Sequence, residues 1–142
     1  MAGHANAVFS IAFSSDGLSL LSGGSDGVLA VWNIARRSLS HRYYGHTNRI
    51  ISVAQIDQRN RIVTASADQT LRIWNLDQAK SFESQEAGKF AYGMVVGDNG
   101  NRLVTGGQSE TTISVWDANT KDAVRHFEGT LGSAEIGIPE IE

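Results

Sequence analysis

Apolar positions along the chain come in short runs of four to seven residues, separated by clusters of Asp, Asn, Gly and Ser. Segments such as "LAVWN" (29–33), "LRIWN" (71–75) and "ISVWD" (113–117) are rich in Val, Ile, Leu and Trp, and Pro139 is the single proline. Branched and aromatic residues bounded by turn formers predict strands, and the intervals between turns leave no length for a helix. Over the first unit the pattern predicts strands at roughly 7–13, 18–23, 28–33 and 38–44. Along the first of these, apolar side chains fall at 8, 11 and 13, and in the corresponding later segments at 50 and 53 and at 94 and 96. A step of three followed by a step of two is what a β-bulge produces.

The same pattern recurs. Trp32, Trp74 and Trp116 are spaced by 42 residues both times. Before them, "LLSGGSDG" (20–27), "IVTASADQ" (62–69) and "LVTGGQSET" (103–111) align, with one extra residue in the third copy. Further upstream, "SSDG" (14–17), "DQRN" (57–60) and "GDNG" (97–100) supply turn residues at matching places. From residue 3 to about residue 129 the chain is three copies of one four-stranded unit: about 3–44, 45–86 and 87–129, followed by a tail, 130–142.

Gly3-His4 opens the first unit and Trp32-Asn33 ends its third strand; Gly45-His46 and Trp74-Asn75 repeat that span, and the third unit ends in Trp116-Asp117. A four-stranded unit of about 40 to 45 residues with these marks resembles the WD-repeat β-propeller family. The third unit departs from the pattern at Glu86-Ala87, where Gly-His is expected, and at Glu110, near the expected Asp.

The resemblance implies an all-β fold of three four-stranded antiparallel blades of a WD-repeat β-propeller. Three are too few to close alone, because propellers typically close with four to eight. It implies a hydrogen-bonded network inside each blade, here His4, Ser22, Asp26 and Trp32, then His46, Thr64, Asp68 and Trp74, with Thr105 and Trp116 in the third. It also implies a rigid, non-catalytic scaffold or adaptor for protein–protein contact, met over the loops before the first strand and between the second and third. In this chain those loops hold Thr47, Arg49, Phe90, Ser25 and Ser109. Arg49 and Phe90 are the first choices, since Arg and large aromatics contribute disproportionately to desolvated interfaces.

The residues themselves offer three other chemistries, and each falls short. His4, Ser22 and Asp26 have the residue types of a hydrolytic triad, yet the trio recurs as His46, Thr64 and Asp68. An active site is not tiled at a fixed period, whereas a structural staple is. His41 and His46 have a spacing that some zinc sites use, but the chain has no cysteine and no carboxylates are grouped beside them. "GGSDG" (23–27) and "GGQSE" (106–110) lack the following Lys-Ser/Thr of a phosphate cradle. No catalytic residue, metal or cofactor is expected.

Charge adds one alternative. Residues 1–75 carry seven Arg and four acids, net +3, while residues 76–142 carry five Lys or Arg and eleven acids, net −6. The Arg-rich first half keeps RNA binding, or a role in ribonucleoprotein assembly, as the alternative to a protein scaffold. The arginines are scattered through turns and strands, so nucleic acid ranks second. An enzyme ranks below both: the inner-strand segments "AVFSIAF", "RIISVAQ" and "AYGMVVG" offer no acid, one Arg and no His. No run approaches the roughly 20 apolar residues of a membrane helix, and no secretory signal layout is present. An intracellular protein, cytoplasmic or nuclear, is expected. Its partial ring is to be completed by further blades of a longer propeller, by a protein partner in a multi-subunit complex, or by a second copy in a dimeric six-bladed ring.

Overall fold

The computed structural model describes residues 3–56, 60–77, 80–86, 91–107, 112–120 and 122–128. Phe90, Ser109, Glu110 and the tail 130–142 lie outside the described residues. The strands form three sheets of four. The first holds β1 (Val8–Phe13), β2 (Ser19–Gly24), β3 (Leu29–Asn33) and β4 (Ser38–Tyr43). The second holds β5 (Ile50–Gln55), β6 (Arg61–Ser66), β7 (Thr70–Asn75) and β8 (Lys80–Glu86), and the third β9 (Ala91–Gly97), β10 (Arg102–Gly107), β11 (Thr112–Asp117) and β12 (Ala123–Glu128). Within every sheet the strands lie in chain order and neighbours are antiparallel. Strand ends in the first sheet fall within one residue of the sequence expectation.

Packing explains why the middle strands are apolar on both faces. Ile62 and Val63 are adjacent on β6, so their side chains point to opposite sides of the sheet, and both are fully buried. Ile62 joins Ile50, Val53 and Trp74 against Leu21, Leu29, Val31 and Tyr43 of the first sheet. Val63 joins Ala65, Leu71 and Ile73 against Leu103 and Trp116 of the third. The second sheet is thus sandwiched between its neighbours, and Tyr43 meets the Trp74 ring edge-on at 5.8 Å.

The inner strands follow one another around the arc, with β5 lying between β1 and β9. Two polar clamps cross from the first sheet to the second. The Val53 N–H donates to Ser10 Oγ at 3.1 Å, and the Ser15 N–H donates to Gln55 Oε1 at 2.7 Å. The pairing register shifts between Val8 and Ser10, leaving Phe9 as an extra residue, and between Ile50 and Ser52, leaving Ile51. These are the bulges predicted by the apolar spacing.

The row of sheets does not close. Ile11 and Phe13, on the side of the first sheet turned away from the second, are 66% and 69% exposed. Their counterparts in β5, Val53 and Gln55, face the first sheet.

Candidate functional site

Two sets of polar side chains are drawn together inside the first and second sheets. In the second sheet, Trp74 on β7 lies beside Thr64 on β6, and its indole N–H donates to Thr64 Oγ1 at 2.9 Å. Thr64 Oγ1 is also 2.7 Å from His46 Nε2, and His46 Nδ1 is 2.7 Å from Asp68 Oδ2. Only one arrangement of protons serves every group with a neutral imidazole. The Thr64 hydroxyl donates to Nε2, and Nδ1–H donates to the Asp68 carboxylate. Asp68 sits in the turn between β6 and β7, where its oxygens also accept the N–H groups of Thr47 and Thr70. One carboxylate thereby ties the loop entering β5 to the turn leaving β6.

Burial is the main influence on the His46 imidazole and lowers its pKa from the ordinary 6.5, outweighing the opposing bond and charge of Asp68. Burial also pushes the Asp68 carboxyl up, but the bonds from Thr70 and His46 win and hold it below 3.8. The network is a neutral histidine beside an ionised aspartate.

The first sheet repeats the geometry. The Trp32 indole N–H donates to Ser22 Oγ at 2.8 Å, His4 Nε2 is 2.7 Å from the same oxygen, and His4 Nδ1 is 3.1 Å from Asp26 Oδ1. Asp26 accepts the Ala5 and Val28 N–H groups. Burial works against its ionisation, yet those two bonds and His4 hold its carboxyl below 3.8. Ser22, whose oxygen a nucleophilic reading would need, is 3% exposed, and that oxygen is flanked by His4 and Trp32. In the third sheet the Trp116 indole N–H donates to Thr105 Oγ1 at 3.0 Å.

The glycine of each Gly-His pair has its own reason. A Cβ on Gly3 would collide with the Trp32 ring, and one on Gly45 would crowd Trp74 and Arg72. The strand-three tryptophan ring lies against the backbone ahead of the histidine, where a Cβ would meet it.

At the loop end of the inner strands the structure places Arg49 and Thr47, both exposed, and Ser25, half-buried. The Arg49 guanidinium carbon lies 5.8 Å from the centre of the Phe9 ring on the neighbouring sheet. Phe9 is 54% exposed. Its position follows from the bulge: the extra residue of β1 is not paired with β2. The backbone beneath Arg49 is held firmly, since its carbonyl accepts the Ala67 N–H at 3.0 Å and the Ser66 hydroxyl at 3.0 Å. The sequence does not single out Phe9: the 8, 11, 13 spacing calls for an extra residue between 8 and 11, and the strand pairing assigns it to Phe9 rather than Ser10. Among the described residues, no three His, Cys, Asp or Glu side chains come together as metal ligands, and no helix is long and apolar enough to cross a membrane.

Four-stranded antiparallel sheets packed face to face around adjacent inner strands, each with an indole bonded to a Ser or Thr hydroxyl, define blades of a β-propeller. The family model described as the WD domain, G-beta repeat matches residues 1–33 and 37–75. This is half of the chain, and the chain belongs to the WD40 repeat family. The matched residues stop short of the third unit, the one that opens with Glu86-Ala87 in place of Gly-His. No curated protein matches the chain. WD40 repeats generally mediate protein–protein interaction.

Proposed function

We propose that this chain is a non-catalytic scaffold or adaptor that takes a protein partner at the loop end of its inner strands. The observation that carries this reading is the Arg49–Phe9 pair. A cation stacked over an exposed aromatic face, bridging two sheets, combines apolar area with a fixed positive charge. Arg and large aromatics are the residue types that dominate interface energetics when desolvated. The matching chemistry on a partner is a segment with an apolar side chain next to a carboxylate. Thr47 precedes Arg49 in the loop entering β5, and Ser25 stands in the turn between β2 and β3.

On this reading the His4 and His46 networks are internal staples. Burial of Ser22 and Thr64 and the donation of an indole N–H to each hydroxyl support it, because an occupied, buried oxygen is no nucleophile. Their work is to hold the segments entering β1 and β5, next to Phe9 and Arg49.

The test is affinity capture with the 142-residue chain as bait, comparing Arg49→Glu and Phe9→Ala with the parent. Both variants should melt at the parent temperature, and both should lose the same captured protein. Retention of every captured protein by both variants would rule out this patch as the contact.

A further inference from the structure

Eleven large apolar side chains are exposed among the described residues, and eight of them lie on the first and third sheets' outward faces or rims. On the first sheet these are Val8, Ile11, Phe13, Leu18 and Ile34; on the third, Val95, Ile113 and Phe127. The two groups are the separated halves of one contact that the molecule already makes twice inside itself.

The half on the first sheet can be matched position by position. Val8 pairs with Gly24 as Ile50 pairs with Ser66, and Ile11 pairs with Ser22 as Val53 pairs with Thr64. Ile50 and Val53 are buried on the first sheet, where a Cβ on Gly23 would collide with both. Gly23 is therefore a notch, and Ile50 and Val53 are the knobs that fill it.

The half on the third sheet is the same notch left empty. Gly106 pairs with Ile113 as Gly23 pairs with Leu29, and Ile113 pairs with Phe127 as Leu29 pairs with Tyr43. Leu29 and Tyr43 are buried, whereas Ile113 and Phe127 are each 50% exposed. A Cβ on Gly106 would meet no atom within 4 Å. Knobs lie bare at one end of the arc and an unfilled notch at the other.

We infer that a second copy of this chain occupies both faces, the Val8 and Ile11 knobs of each copy entering the Gly106 notch of the other. Two such contacts, related by a two-fold axis, close three sheets and three sheets into a ring of six. Closed propellers typically have four to eight blades, and two of these three-sheet arcs make six. The inference goes beyond the proposed function and uses a different surface from Arg49 and Phe9.

The test is the mass in solution of the 142-residue chain by light scattering, over a wide range of concentration. The expected value is twice the 15.3 kDa of one chain. Ile11 is 66% exposed and a Cβ on Gly106 meets no atom within 4 Å, so Ile11→Lys and Gly106→Leu should each keep the circular dichroism of the parent while the mass falls to that of one chain. Mixed together, the two variants should pair again, because the intact notch of one meets the intact knobs of the other. A parent that stays at the mass of one chain overturns the inference, as do polymers of growing mass. A dimer that survives both substitutions, or variants that fail to pair on mixing, overturns it equally.

Discussion

His46 Nε2 and Thr64 Oγ1 lie 2.7 Å apart in the middle of the second sheet, and the oxygen between them and Trp74 is fully buried. Neither group meets water there, so each depends on the other for its hydrogen bond. Replacing His46 by Ala leaves the Thr64 hydroxyl without an acceptor and Asp68 without its imidazole. Unsatisfied buried polar groups cost about 1–3 kcal/mol each. The expected result is a loss of about 2–4 kcal/mol in urea unfolding.

Acid should act on this network in two stages. The native pKa of His46 is lowered from 6.5, so the unfolded chain takes up a proton at a pH where the folded chain does not. Stability is then complete above about pH 6.5 and falls as the pH drops from there toward the native value. Asp26 and Asp68 are also held below their ordinary 3.8, so their contribution is present above that pH and is lost below it. Thermal melts from pH 8 to pH 3 should show a first decline starting near pH 6.5. A His46→Gln variant should lack that first decline and keep the second.

The two family-matched tryptophans hold the same place in the repeat but not the same place in the packing. Trp74 is 1% exposed, covered by the first sheet and Tyr43, while Trp32 is only half-buried on the face turned away from the second sheet. Trp74→Ala should therefore cost about 3–5 kcal/mol. The equivalent change at Trp32 should cost less in the single chain by denaturant titration. Equal costs would show that the first sheet's outward face is covered.

Gly17 and Gly100 both adopt left-handed backbone, with φ of +71° and +88°. Alanine at Gly17 has open space around its Cβ and should cost about 1–2 kcal/mol from the backbone alone. Alanine at Gly100 would in addition strike the Ile56 carbonyl oxygen of the second sheet. A larger drop in melting temperature for Gly100→Ala than for Gly17→Ala is the expected outcome, and the reverse order would contradict the packing of the Asp98–Gly100 turn against Ile56, just past β5.

The 42-residue period, the strand-and-turn alternation and the types of the polar residues at matching places are properties of the sequence alone. They define the unit because pleat and turn chemistry are local: side chains alternate across a strand, and Gly, Asn and Asp permit tight reversals. A bulge in the first strand was legible in the same way, from a step of three among apolar positions, but that Phe9 is its extra residue came only from the strand pairing. What each copy of a position does was not legible. Trp32 and Trp74, Gly23 and Gly106, Leu29 and Ile113 are near-identical in sequence context, yet one of each pair is covered and the other bare or less covered. Burial belongs to the neighbour and not to the residue, and which face has a neighbour is decided only when the sheets are stacked. The same stacking brings Arg49 over Phe9, two residues 40 positions apart on different sheets.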